Sequence, residues 1–170
     1  MKEYLIISEQ PLSDMCFVCG VDNDCSLKTR IFNLEDDRAL AIFSGQDIHQ
    51  SYPNRMHGGL ITAILDEVVG RAIQTNQDIW GVTMKFTTKY LKPVFLNQKL
   101  YAVGKITKIT RLTFEGEGYI CDIDGNILVE GKGLYRILSQ ALITGKGDLT
   151  KKEWSNRYDT LPQTTVRLPK

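Results

Sequence analysis

The chain has 170 residues, enough for one domain that buries a core without disulfides or a structural metal. Hydrophobic residues make up 42% and charged residues 24%, and 21 Lys plus Arg against 20 Asp plus Glu leave a net charge of +1. This balance excludes a global field that draws the chain to nucleic acid or to an anionic membrane. Any anionic ligand must therefore be held by local basic residues.

Residues 1–14 contain only a short apolar run at 4–7 and lack the basic and long apolar regions of a signal peptide. No run approaches the about 18 apolar residues that a membrane-spanning helix needs. We therefore expect a cytoplasmic protein. Residues 1–27 as a whole predict an irregular lead-in.

Three of the four cysteines lie in this lead-in, and Cys16 and Cys19 form a C-x-x-C motif. A structural zinc site usually takes four ligands, commonly from two such pairs, and only one pair is present. Cys25 and His49 could complete a set, but nothing in the spacing requires it. No βαβ pattern supports a redox role. We therefore expect reduced thiols and no metal ligands.

Two short strands follow at 28–33 and 38–43, joined by an acidic turn as in a hairpin. After the polar loop 44–56, a long helix begins near Gly58, and 74–78 end it. Its apolar residues cover most of its circumference, which predicts a buried helix. They are Leu60, Ile61, Ala63, Ile64, Leu65, Val68, Val69, Ala72 and Ile73.

From residue 79 apolar and polar residues alternate, which predicts a strand of about ten residues with one apolar face. Three more strands are predicted at 99–110, 112–123 and 127–138, and Asp124-Gly125 between the last two is a hairpin signal. From 139 the apolar pattern thins into a polar tail with one short helix near 151–158. The apolar face of the strand that begins at residue 79 is expected to carry Trp80, Val82, Met84, Phe86 and Tyr90.

One buried helix among strands predicts an α+β protein, in which a curved antiparallel sheet of five to six strands wraps around the helix. This is the hotdog arrangement. It assigns residues 28–138 to the hotdog domain, 1–27 to the lead-in and 139–170 to a polar C-terminal extension.

Two features of the helix suggest acyl chemistry. Unpaired backbone N–H groups at a helix N-terminus, here at Gly58 and Gly59, attract negative oxygen. The acid pair Asp66-Glu67 interrupts the apolar pattern. Burying a carboxylate among apolar residues costs free energy, so such a group usually has a catalytic role or a paired charge.

The motifs around this helix resemble those of the hotdog-fold thioesterases of the 4-hydroxybenzoyl-CoA and phenylacetate-pathway superfamily. His57-Gly58-Gly59 is followed nine residues after the histidine by Asp66, residues 49–57 resemble an H-x-G-x-P-G-x-x-H stretch, and 16–20 resemble a C-F-x-C-G lead-in. Residues 83–93 resemble a T-x6-Y-L-x-P strand. The resemblance spans 16–138.

The resemblance implies hydrolysis of an acyl-CoA by a homodimer or a dimer of dimers, with coenzyme A as part of the substrate and no separate cofactor. It implies that the amide of Gly58 or Gly59 polarises the thioester carbonyl and that Asp66 acts as nucleophile or general base. Thr83 occupies the position of a residue that orients the attacking group in some members.

Helix geometry adds a constraint that does not depend on the resemblance. His57 and Asp66 are nine residues apart, which is about 2.5 turns and about 13.5 Å of rise. An amide at the helix start and Asp66 of the same chain therefore cannot both reach one carbonyl. If both act, they come from two copies of the chain across a two-fold interface.

Each candidate also has a structural interpretation. His57 is expected chiefly to hold the Gly-Gly turn, and Glu67 could be a solvent or interface residue. Asp66 could be a buried interface acid that forms a salt bridge with Arg71 or with a neighbouring residue. Lys85, Lys89 and Lys92 are exposed-face positions that could meet CoA phosphates. The candidate substrate-binding residues are Gln50, Ser51, Asn54, Arg55, Ile61, Leu65 and Met84.

Two positions depart from the family pattern, because Ser51 and Asn54 replace glycines. Asn tolerates the left-handed conformation that glycine would supply, whereas Ser51 leaves open whether a side chain assists the oxyanion. The alternative function is a non-catalytic acyl-CoA-binding module or sensor on the same fold. Acyl chain length, and coenzyme A against acyl carrier protein, stay open.

Overall fold

The structure is a computed structural model that describes residues 1–75, 79–145 and 153–169. Two α-helices and two short 3-10 helices accompany eight strands. The helices are α1 (Gly58–Arg71), α2 (Gln140–Thr144) and the 3-10 turns Asp47–His49 and Ala72–Thr75. The strands are β1 (Lys2–Glu9), β2 (Arg30–Leu34), β3 (Ala39–Phe43), β4 (Trp80–Tyr90), β5 (Leu100–Ile109), β6 (Thr113–Asp122), β7 (Ile127–Leu138) and β8 (Thr165–Leu168).

The strands form one sheet in the order β4-β7-β6-β5-β3-β2-β1-β8, and each recorded pair is antiparallel. Helix α1 packs against β3, β4, β5, β6 and β7. The predicted α+β class, an antiparallel sheet around one long helix, is confirmed. The strand number is corrected from five or six to eight. None of the described helices is long and apolar enough to span a bilayer.

The two additional strands come from the terminal segments. The lead-in was predicted to be irregular, but β1 pairs with both β2 and β8, with Tyr4 opposite Val166. Tyr4, Val166 and Leu168 are buried in a second apolar cluster with Phe32 and Tyr101. Four residues of β8 carry too little periodicity to predict a strand, and pairing with β1 across the whole chain length supplies the missing stabilisation.

The C-terminal extension differs from its prediction in a second way. Ser139 caps the short helix α2, accepting from Leu142 N at 3.4 Å, and Gly145 with φ +66° ends it. The helix predicted near 151–158 is wrong for 153–158, which form turns and a bridge from Ser155 to Leu12. Residues 151–152 lie outside the described part of the chain.

Strands β5 and β6 carry glycines at the positions where α1 packs closest to the sheet. A Cβ at Gly104 would lie 2.6 Å from the backbone O of Val68 and 2.8 Å from the Cα of Val69. At Gly118 it would lie 2.7 Å from a Val69 methyl carbon. The helix therefore sits directly on the sheet, and Ile64, Leu65 and Val68 are fully buried.

Strand β4 contains a β-bulge that changes which side chains face the helix. The register with β7 shifts between Thr83 and Lys85. Before the bulge Thr83 faces α1, where it donates to Asp66. After the bulge Tyr90 faces α1 and donates to Gly58 O, and the Phe86 ring lies, like Leu65, beside Gly131. The predicted continuous even-numbered face is therefore wrong, because the extra residue of a bulge reverses the alternation. Met84 at the bulge is 55% exposed.

The predicted hairpin at Asp124-Gly125 is confirmed. Strands β6 and β7 are joined there, Gly125 has φ +83°, and its N–H donates to Asp122 O at 3.1 Å. The Asp122 carboxylate also accepts from the backbone N–H of Asn126 at 2.8 Å.

Candidate active site

The Asp66 carboxylate lies on the face of α1 that meets β4 and β7. Thr83 Oγ1 lies 3.1 Å from Asp66 Oδ1 and 3.0 Å from Oδ2, and donates its single proton between them. Tyr135 OH, from β7, lies 3.0 Å from Oδ1 and 3.1 Å from the Asp66 backbone O. Two hydroxyls from two strands therefore orient one helix carboxylate.

Burial has the largest effect on the pKa of the Asp66 carboxylate. Desolvation raises the pKa of Asp66 above its usual range, and the hydrogen bonds from Tyr135 and Thr83 oppose that rise without cancelling it. The neighbouring Glu67 adds to the rise. Desolvation also raises the pKa of Tyr135, with the Asp66 charge as the next cause, so Tyr135 remains a protonated donor.

The backbone N–H groups at the start of α1 differ in whether they have a hydrogen-bond acceptor. His57 is the N-cap residue, and its Nδ1 accepts the N–H of Gly59 at 3.0 Å. The N–H groups of Leu60 and Ile61 donate to His57 O. Within the described chain, Gly58 N–H is the amide at this terminus that has no protein acceptor. Of the two glycines, Gly58 is therefore the one positioned to bind a negative oxygen.

Tyr90 holds this terminus in place from β4. Its hydroxyl donates to Gly58 O at 2.8 Å and lies 2.7 Å from Thr62 Oγ1. Thr62 Oγ1 in turn lies 3.1 Å from Thr88 Oγ1. Tyr90, the tyrosine of the Y-L-x-P motif, thus contacts the first residue of α1. The contacts of His57 match the structural interpretation, a cap that shapes the Gly-Gly turn.

The loop before the helix is exposed and carries four of the candidate substrate-binding residues. Asn54 has φ +63°, the left-handed conformation expected for it. Ser51 N donates to Arg55 O at 2.8 Å, and the Arg55 guanidinium lies 5.7 Å from the centre of the Phe95 ring. Gln50 pairs with Met56 as an isolated bridge. A role of these residues in binding stays a prediction.

The remaining candidates divide by burial. Ile61 and Leu65 lie in the core of the single chain, 3% and 0% exposed, while Met84 is open to solvent. Lys85, Lys89 and Lys92 are exposed. The structure brings together Asp66 and Thr83; a role of these other side chains in binding stays a prediction.

The alternative pairing of Asp66 with Arg71 is wrong. Arg71 Nη1 instead lies 3.3 Å from Glu67 Oε1, one turn earlier on the helix. Arg71 Nε donates to Gln10 Oε1 at 2.9 Å, and its guanidinium lies 4.5 Å from the Trp154 ring centre. The residue of the site that sequence reasoning missed is Tyr135, because a tyrosine on a regular strand has no local signal and meets Asp66 only across 69 positions.

A cavity of about 760 Å³ opens elsewhere, beside the β2–β3 turn and the middle of β5 to β7. None of the candidate site residues lines it. Its lysines Lys105 and Lys132 are both paired with Glu117, at 3.1 and 3.3 Å. This cavity is therefore separate from the candidate site.

A family model described as the thioesterase superfamily matches residues 54–129. A comparison with curated proteins finds no match. A solved thioesterase superfamily protein aligns with a TM-score of 0.68 and 25% identity, over 72% of this chain and 60% of that one, so the match spans less than two thirds of that relative.

Two further solved structures are similar in fold. The Escherichia coli PaaI protein from the phenylacetic acid degradation operon has a TM-score of 0.61 and 17% identity, over 66% of this chain and 81% of that one. A hypothetical thioesterase protein with coenzyme A from Streptococcus pneumoniae has a TM-score of 0.60 and 20% identity, over 66% and 90%.

The family match begins in the loop before α1 and ends within β7, so it includes Gly58, Asp66 and Thr83. The motifs that suggested the resemblance lie in the same segment. The resemblance to hotdog-fold thioesterases is thereby confirmed, and residues 54–129 are the segment that matches the thioesterase superfamily model.

Proposed function

We propose that this protein hydrolyses an acyl-CoA thioester to a free acid and coenzyme A. The observation that carries the proposal is the Asp66 carboxylate, half-buried and held by Thr83 and Tyr135, on the same helix as the unpaired amide of Gly58. A carboxylate and an oxyanion donor that act on the same carbonyl are the pair of groups that acyl transfer to water needs.

The hydrogen bonds distinguish the two carboxylate oxygens. Asp66 Oδ1 accepts from Tyr135 and shares the Thr83 proton, whereas Oδ2 has only the shared contact with Thr83. Oδ2 therefore retains the lone pair that removes a proton from water or attacks the thioester carbon. In the first case water forms the C–O bond and the C–S bond breaks. In the second, Oδ2 forms the C–O bond of a mixed anhydride while the C–S bond breaks and coenzyme A leaves as the thiolate. Water then cleaves the anhydride to the free acid and restores the carboxylate, and its released proton goes to the thiolate.

The oxyanion is bound by Gly58 N–H. One such donor contributes about 3 kcal/mol to transition-state stabilisation. Gly58 and Asp66 are eight residues apart on one helix, about 12 Å along its axis, so the two groups meet on one carbonyl only when they come from different copies. Strand β4 is the terminal strand of the sheet formed by the described residues, and edge strands are templates for strand pairing. A second copy across β4 would supply the partner groups.

Coenzyme A as the thiol carrier is supported by the solved neighbour that contains it. Exposed Lys85 and Lys89 on the β4 edge are candidates for its phosphates. The dimer of dimers, the cytoplasmic location and the acyl group are further parts of the proposal that need their own experiments.

The central test is Asp66→Asn, with Asp24→Asn at an exposed position as a matched control. Release of thiol is followed for short, long and aromatic acyl-CoAs and for acyl carrier protein thioesters. We expect D66N to lose hydrolysis and to keep binding acyl-CoA, with D24N unchanged. A native protein that binds these thioesters and hydrolyses none would instead identify a non-catalytic binding module.

Complementation tests the shared site. Gly58 is the first helical residue, where proline is tolerated, so Gly58→Pro removes the N–H and preserves the helix. Each variant alone should be inactive. Refolding equal amounts of G58P and D66N together should restore about a quarter of the native rate, since half the dimers are mixed and each has one intact site of two. No recovery in mixed dimers would contradict a site built from two copies.

A further inference from the structure

Three potential metal ligands meet beside α1, on a different face from the Asp66 site. The Sγ atoms of Cys16 and Cys19 and a carboxylate oxygen of Glu67 all lie within 4.8 Å of one another. Both cysteines are free thiols. The proposed hydrolysis uses none of these three side chains.

The turn at 16–20 holds the two sulfurs on one side. Cys16 Sγ accepts from the backbone N–H of Val18 at 3.3 Å and of Cys19 at 3.5 Å. Gly20 N donates to Cys16 O at 2.8 Å, and a Cβ at Gly20 would lie only 2.4 Å from that oxygen. The glycine after the second cysteine therefore allows the turn to close, and the backbone amides stabilise negative charge on the first sulfur.

The charges around the cluster balance with a divalent cation as well as without one, because Zn²⁺ would replace the two thiol protons. Glu67 presents a half-buried carboxylate to two thiols, and its side chain is 28% exposed. Arg71 contacts Glu67 Oε1 at 3.3 Å and Cys19 Sγ at 3.9 Å. One guanidinium and one divalent cation together neutralise two thiolates and a carboxylate.

We propose that Cys16, Cys19 and Glu67 bind one Zn²⁺ ion, with solvent as the fourth ligand. Thiolate sulfur and carboxylate oxygen are ordinary zinc ligands, and four ligands suit its tetrahedral preference. The ion would join the N-terminal turn to α1, two segments 48 positions apart in sequence. The proposal does not depend on thioester hydrolysis.

The structure also explains why the sequence alone predicted no metal. The two residues considered for completing the set, Cys25 and His49, contact each other instead. His49 Nε2 lies 3.1 Å from Cys25 O, and its Nδ1 accepts from Gln46 N at 3.0 Å. The third ligand is Glu67, which the spacing of the cysteines cannot indicate.

The test is calorimetric titration of Zn²⁺ into the full-length, reduced, chelator-treated protein. We expect one ion per chain, no binding in Cys16→Ser, and affinity at least about tenfold lower in Glu67→Gln, since even loss of an outer partner costs about 10–100-fold. Cys25→Ser, an exposed thiol outside the cluster, is the matched control and should bind normally. Zinc should also protect Cys16 and Cys19, and not Cys25, from alkylation read by mass spectrometry.

Binding should raise the thermal midpoint of the native protein with increasing Zn²⁺, and C16S should lose that dependence. The proposal is overturned if the reduced native protein binds no zinc, or if C16S binds as the native protein does. It is also overturned if the chelated protein forms a Cys16–Cys19 disulfide and takes up no zinc after reduction. Circular dichroism establishes whether each variant is folded. If E67Q is unfolded, zinc binding by C16S still tests the proposed site.

Discussion

Tyr135→Phe isolates the role of the second hydroxyl at Asp66. The change removes the hydrogen bonds of 3.0 Å to Oδ1 and 3.1 Å to the backbone O. The ring keeps its packing on Phe114, where the two centroids lie 4.7 Å apart. A hydrogen bond to a charged group contributes about 1.5–3 kcal/mol, and about 1.4 kcal/mol is tenfold in rate. We therefore expect kcat to fall roughly 10- to 100-fold with KM nearly unchanged.

The assay is steady-state hydrolysis of the best acyl-CoA of the panel, followed by thiol release. Tyr101→Phe, a buried tyrosine in the second apolar cluster away from Asp66, is the matched control and should retain the native kcat. Urea unfolding should show both variants folded under assay conditions. A native kcat in Y135F would refute the idea that Tyr135 positions the carboxylate. A raised KM at unchanged kcat would assign Tyr135 to substrate binding instead.

Three further predictions concern packing, the helix start and pH. Gly104→Ala should destabilise the fold by about 1–3 kcal/mol, because its Cβ meets the α1 backbone at 2.6 Å; an unchanged urea midpoint would contradict that close approach. Tyr90→Phe loses the 2.8 Å bond to Gly58 O and should lower kcat several-fold through a looser helix start; a native rate would show that the α1 packing alone holds this turn. Burial raises the pKa of Tyr119 from 10.0 to about 12, so the neutral ring is favoured in the folded state. The resulting stabilisation, roughly 2 kcal/mol, is fully present below about pH 10 and is lost as pH rises to about 12. Tyr119→Phe should therefore show a smaller loss of unfolding free energy across that range, and parallel curves for the two proteins would contradict the assignment.

The sequence by itself determined the elements whose physical signals are local. The apolar run after Gly58 predicted α1, period-two alternation predicted β4 to β7, and Asp124-Gly125 predicted the last hairpin. The acid pair Asp66-Glu67 could be noticed because it interrupts an apolar helix, and the motif spacing after His57 selected Asp66 from the pair. Asn54 could be assigned a left-handed backbone from its residue type and its place in the motif. Each of these inferences needed only a window of a few turns of chain.

Only the tertiary structure decided the features that depend on distant segments. Strands β1 and β8 stabilise each other across nearly the whole chain, and neither pattern is sufficient alone. The bulge in β4 reverses a face that alternation had predicted to be continuous. Tyr135 reaches Asp66, and Glu67 reaches Cys16 and Cys19, through packing between elements far apart in sequence. Periodicity records which side of an element is buried, but the side chain it meets there depends on how the sheet curves around the helix.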